Sequence, residues 1–168
     1  ASSFERMIAG KRRVERHSSL FRIGDKFDTL YIIRSGQFKE FILDPAGNQR
    51  VVRFYMPGEM IGFDGVASGW HRSRVMALES CEVCEVPYVH VRRAMLEQSH
   101  FLDRFLATMS ATLLNQYQHS RLLALPSLDG RFARFLLYLS ESYTQLGYSG
   151  QTFRLAMSRS DIGSYLGT

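Results

Sequence analysis

Over its first half the chain alternates. Polar and apolar residues take turns along Gln37-Phe-Lys-Glu-Phe-Ile-Leu43, and the chain returns as Gln49-Arg-Val-Val-Arg-Phe-Tyr-Met56. A period of two marks a strand with one buried face. Asp44-Pro-Ala-Gly-Asn48 separates the two runs with turn-forming residues, so they predict a hairpin. Leu20 to Ile23 precedes a Gly-Asp turn, Leu30 to Ile33 ends in Arg34-Ser-Gly36, and Pro57-Gly58 closes the hairpin. Ser73 to Glu79 reads as a further strand, followed by Ser80-Cys-Glu-Val-Cys-Glu-Val-Pro87. Short strands punctuated in this way describe a sandwich, jelly roll or barrel.

From Tyr88 the period becomes helical. Tyr88 to Gln98 predicts a short amphipathic helix, and His100 to Ala124 runs on without Gly or Pro. At 1.5 Å per residue the second helix is about 37 Å long. Leu106, Met109, Leu113, Gln116, Ser120 and Leu123 fall along it at alternating spacings of three and four, the pattern of a coiled-coil seam. One small β domain does not cover a helix of that length, so the seam predicts pairing with a second copy; the alternative is a helix docked wholly on its own domain. Pro126 ends the helix. Asp129 is a candidate N-cap for a helix from Gly130 to Leu146, stopped by Gly147, and Ser158 with Asp161 has the spacing of a capping box opening a last helix.

The 168 residues are 45% hydrophobic and 22% charged, enough for a core without disulfides. A net charge of +5 fits a polyanionic partner as well as it fits an ordinary basic protein. No apolar run is long enough to span a membrane, and the start lacks the apolar stretch of a signal peptide. With two cysteines the chain has no disulfide framework, and a cytoplasmic location is expected. With an opening without Met and a stop inside a helical pattern, a piece of a longer protein is expected.

Enzyme chemistry finds little support. His17, His71, His90, His100 and His119 share no ligand spacing, and neither a nucleophile elbow nor a phosphate loop is present. Cys81 and Cys84 have the C-x-x-C spacing of a metal or redox pair. In a strand, however, positions three apart point to opposite faces, so the two thiols do not grip one metal. Two ordinary strand thiols is the simpler reading.

The order of parts, with five motifs, resembles the cyclic-AMP receptor/FNR superfamily of bacterial transcription regulators, in its FNR (fumarate and nitrate reduction regulator) branch. The motifs are Leu30-Tyr-Ile-Ile-Arg-Ser-Gly36, Pro57-Gly-Glu-Met-Ile-Gly-Phe-Asp64, Ser68-Gly69, Val83-Cys-Glu-Val-Pro87 and Phe153-Arg-Leu-Ala-Met-Ser-Arg-Ser-Asp-Ile-Gly163. The resemblance implies an α+β chain: an antiparallel β-roll of the jelly-roll, cyclic-nucleotide-binding type, then a dimerisation helix, then the start of a winged helix-turn-helix. In domains this gives residues 1–98 as the β-roll sensor, opening in a lead-in helix at Ala1, 99–125 as the dimerisation helix, and 126–168 as the beginning of the DNA-binding domain, its recognition helix lying beyond Thr168.

The resemblance implies a homodimer that binds DNA, with Ser158 and Arg159 touching phosphates, and contacts with RNA polymerase through the loops Asp44 to Arg50 and Gly147 to Thr152. It also implies an oxygen-labile [4Fe–4S] cluster in the full-length protein. Cys84 matches the one β-roll ligand, cofactor-binding and metal-binding at once; Cys81 matches none, and the three N-terminal thiolates have no counterpart here. Gln116 stands where the oxygen-responsive pattern carries an acidic residue on the seam. In the nucleotide-binding branch an Arg-Ser pair holds the phosphate, and Arg72-Ser73 matches it, but Phe63 replaces the glutamate that holds the ribose. A regulator sensing another small molecule in the roll is the alternative.

Overall fold

The computed structural model describes residues 4–168. Eight strands, β1 (Gly10–Val14), β2 (Ser19–Phe21), β3 (Thr29–Ser35), β4 (Phe38–Leu43), β5 (Gln49–Tyr55), β6 (Met60–Ile61), β7 (Arg74–Ala77) and β8 (Cys81–Pro87), precede four helices. These are α1 (Tyr88–Glu97), α2 (Ser99–Leu123), α3 (Leu128–Gln145) and α4 (Arg159–Leu166). The strands form two antiparallel four-stranded sheets, ordered β1-β8-β3-β6 and β2-β7-β4-β5. This is the antiparallel roll followed by helices that the sequence predicts.

Three cores follow from two sheets with two faces each. Between the sheets, Val14, Ile33, Cys81 and Val83 of the first meet Phe38, Tyr55 and Val75 of the second. The outer face of the first sheet, with Leu30 and Val86, is covered by Val91 of α1 and Phe105 of α2. The outer face of the second, with Phe41, Val51 and Phe54, is covered by Leu122, Phe135, Leu139 and Tyr165 from α2, α3 and α4. Thus α2 touches one core at each end and leaves its middle outside.

Several local expectations need correction. In place of the expected lead-in helix, the described residues before β1 hold a 3-10 turn at Glu5–Met7; the expected start at Ala1 lies outside the described residues. The charged run Gly10-Lys-Arg-Arg-Val14 shows no apolar period because β1 is an edge strand, held by β8 on one side. The N-cap of α3 is Ser127 and not Asp129: Ser127 has extended backbone angles and its Oγ accepts from Gly130 N. Ser158 and Asp161 do form the full capping box at α4. Gly36 turns β3 toward β4 with φ at +82°, and a β-carbon there would collide with the Cys81 side chain.

Candidate functional site

The two cysteines separate as strand parity predicts. Cys81 lies opposite Val14 and enters the core between the sheets. Cys84 lies opposite Lys11 on one side and Ile32 on the other, on the face turned to the helices. Both are free and buried. Burial pushes the Cys81 thiol up to about 11, and its Sγ donates to the carbonyl oxygens of Gln37 and Glu79. Cys81 is thus a packing residue. Among the described residues no group of three metal-ligating side chains comes together. A [4Fe–4S] cluster takes four thiolates, and the helix-side face of β8 offers one, so these residues do not fit it.

Inside the roll the matched nucleotide positions are already committed. Asp64 accepts from the Arg72 and Ser73 backbone amides at 2.8 and 3.2 Å and from His71 Nδ1 at 3.0 Å. Burial disfavours its charge, but the hydrogen bonds from His71, Arg72 and Ser73 prevail and hold it below the usual carboxylate range. The Ser73 hydroxyl lies 2.5 Å from Glu40 Oε1 and 3.1 Å from Asp64 Oδ2, while Tyr55 donates to the other Glu40 oxygen at 2.7 Å. His71 stacks on Phe21 with ring centroids 3.5 Å apart. A phosphate brought to Ser73 would meet two carboxylates, and Arg72 is exposed, its side chain unpaired among the described residues. Phe63 packs edge-on against Phe105 of α2. The Ser73 hydroxyl and the Asp64 carboxylate are therefore already engaged by neighbours inside the roll.

On α2 the seam residues divide. Leu106, Leu113 and Ser120 are exposed, whereas Met109, Gln116 and Leu123 are half-buried. Met109 packs with the core beneath α1, and Leu123 with the core beneath α4. Leu102 and Tyr117 extend the exposed apolar stripe, at 37% and 56% exposure. The spacing pattern passes over Tyr117 because a seam read from one register keeps Gln116 instead.

Ser158 spends its hydroxyl on the α4 cap, accepting from Asp161 N at 3.0 Å, and Arg159 beside it is exposed. Around them α4 is tied to the roll. Lys39 Nζ reaches Asp161 Oδ1 at 2.6 Å, Val51 N donates to Ser164 Oγ at 2.9 Å, and His119 of α2 stacks on Tyr165 with centroids 4.1 Å apart. Gln37 Nε2 donates to Tyr143 on α3 at 2.6 Å, and the Tyr143 hydroxyl donates to the Arg154 carbonyl. No local pattern in the sequence signals these contacts, since each joins residues of separate segments.

Comparison with known proteins agrees with this architecture. The family profile described as "Cyclic nucleotide-binding domain" matches residues 11–98. The chain is 33% identical over 165 residues to the transcriptional activator protein Anr of Pseudomonas protegens, covering 98% of this chain and 68% of that protein. It is 32% identical over 163 residues to the fumarate and nitrate reduction regulatory protein of Escherichia coli, covering 97% of this chain and 65% of that one. The chain therefore spans about two thirds of the length of these relatives. In fold it is similar to FixK2 from Bradyrhizobium japonicum, with a TM-score of 0.84 at 23% identity, covering 95% of this chain and 78% of that one.

Proposed function

The chain belongs to the CRP/FNR superfamily of transcription regulators, in the FNR/Anr branch, and from that premise we propose that it works as a homodimer that sets two DNA-binding units on a two-fold-symmetric operator. Its relatives are transcription regulators and not enzymes. The pairing element in this reading is α2, and the observation that carries it is the exposed apolar stripe Leu102, Leu106, Leu113 and Tyr117. Leucines on one side of a two-ended helix are what a coiled-coil partner covers. Residues 1–98 are then the sensor roll, 99–125 the pairing helix, and 126–168 the opening of the DNA-binding domain.

In this assignment Met109, Gln116, Ser120 and Leu123 line the same seam, and Gln116 in place of an acid removes a like-charge repulsion between copies. Pairing is then less dependent on any cofactor. Ser158 and Arg159, at the N-terminus of α4, are the phosphate contacts. The loops Asp44 to Arg50 and Gly147 to Thr152 are the surfaces offered to RNA polymerase. A [4Fe–4S]-based oxygen response belongs, in our reading, to a longer form of the chain that brings three more thiolates to Cys84. In this reading the DNA-binding role goes with a cytoplasmic protein. Among the described residues no helix is long and apolar enough to cross a membrane.

The test is association. Leu113→Asp puts two carboxylates across the seam, and sedimentation of the full chain is expected to change from dimer to monomer. A Leu113→Asp protein that stays dimeric overturns the interface.

A further inference from the structure

A cavity of about 520 Å³ lies between the C-terminal half of α2, the exposed side of α3 and β5, an edge strand of its sheet. It has the size of a small-molecule site. Its lining shares no residue with the polar cluster around Ser73, and it does not face the pairing seam. At about 100° per residue, Leu122 on its wall stands about 200° round α2 from Ser120 on the seam. Of the six predicted seam residues, Gln116 alone lines it.

Its distinguishing wall residue is Arg53. This arginine sits at 7% exposure in the middle of β5, with its guanidinium 4.3 Å from the Tyr55 ring. Nη2 donates to Glu59 Oε1 at 2.8 Å, but Nε and Nη1 have no partner among the described residues. Those two nitrogens carry three of the five guanidinium protons. Folded proteins rarely leave buried donors unpaired, and such a group calls for a ligand or ordered water.

The rest of the wall has a matching character. Arg121 and Arg134 are exposed at the rim, and Glu141 is the one carboxylate lining the cavity; neither arginine has an ion-pair partner among the described residues. Glu59 answers part of the Arg53 charge from behind. Phe54, Tyr138 and Tyr165 supply flat apolar surface. Excess positive charge beside aromatic rings selects an anion with an apolar body rather than a bare inorganic ion, whose charge those rings would leave desolvated.

We propose that this cavity is an effector site for an organic monoanion, a carboxylate on a flat apolar ring, held by Arg53 and walled by α2, α3 and β5. Nε and Nη1 have no open surface of their own, so binding includes a turn of that side chain into the cavity it lines. Because one ligand would touch the roll, the pairing helix and α3 together, its binding favours the arrangement in which these three are docked.

The experiment compares indole-3-acetate with its neutral isostere indole-3-acetamide, titrated by calorimetry into the full chain, with arginine Nε–H signals followed by NMR. The acetate is expected to bind saturably, at least tenfold tighter than the amide, and to shift the Arg53 signal. Arg53→Met and Ala133→Trp, the second filling the cavity from its rim, are each expected to weaken binding at least tenfold with the far-ultraviolet circular dichroism unchanged. Should Arg53→Met fail to fold, Ala133→Trp and Arg134→Gln decide the matter by the same loss of affinity. Equal affinity for acetate and amide, wild-type affinity in the cavity-filled variant, or no saturable binding of either probe overturns the proposal.

Discussion

Lys39 on β4 and Asp161 in the first turn of α4 meet at 2.6 Å, with their side chains only 12% and 14% exposed. Asp161 does two jobs there. It accepts from the Ser158 backbone to close its own capping box, and it accepts from the ammonium of a residue far away in the sequence. Local helix chemistry and long-range docking thus share one carboxylate. The start of α4 is positioned by the roll through it.

Removing Lys39 should therefore cost more than a surface ion pair. Lys39→Met leaves a largely buried carboxylate without its cation, and we expect a loss of about 1–3 kcal/mol, between the values for exposed and fully buried pairs. The urea midpoint measures it. Lys39→Met combined with Asp161→Asn should lose less than the two single changes added, because the second change removes the stranded charge. Strict additivity would show that the contact contributes nothing. Acid should act in the same direction. Burial opposes the Asp161 charge, but the bonds from Lys39 and Ser158 hold its carboxyl below 3.8, so its stabilisation is complete above that value and is lost as pH falls through the lower folded one.

A second contact titrates higher. His119 Nε2 donates to the Tyr165 carbonyl at 2.8 Å, and the two rings lie within 16° of parallel. Burial lowers the His119 imidazole below its ordinary 6.5, against the smaller opposing effect of that hydrogen bond. The unfolded chain then takes up a proton near 6.5 that the folded chain refuses, so stability is full above 6.5 and declines as pH falls below it. Urea midpoints at stepped pH should fall more steeply between about 6.5 and 5.5 in the native chain than in His119→Gln. Parallel curves for the two proteins would remove His119 from the docking contact.

What the sequence discloses is what short periods disclose. The opposite faces of Cys81 and Cys84 follow from a period of two, and the Ser158–Asp161 box follows from a spacing of three. β1 escaped because an edge strand of lysine and arginine has no apolar face to reveal it, and β6 because two residues carry no period. Arg53 is the instructive case. In Val-Val-Arg-Phe-Tyr an arginine reads as the solvent side of a strand, yet Glu59 and the Tyr55 ring enclose it. Burial of that kind depends on residues brought from elsewhere, and no local pattern records it. Lys39 and Asp161 are invisible for the same reason.

The roll's polar cluster yields a last expectation, about what the protein refuses. Ser73 stands where a nucleotide phosphate would seek a hydroxyl, but that hydroxyl bridges Glu40 and Asp64. One proton serves one carboxylate at a time, so the bridge is held by geometry as much as by bonding. Ser73→Ala is expected to destabilise the fold by about 1–3 kcal/mol, the cost of leaving buried acceptors unanswered. A phosphate entering the native roll would have to displace Ser73 from both carboxylates and then sit beside them. Cyclic AMP should accordingly give no saturable heat with the full chain, corresponding to a dissociation constant weaker than about 1 mM. Clear binding at lower concentration would mean that the cluster opens on demand, and Ser73→Ala would then be expected to weaken that binding along with the fold.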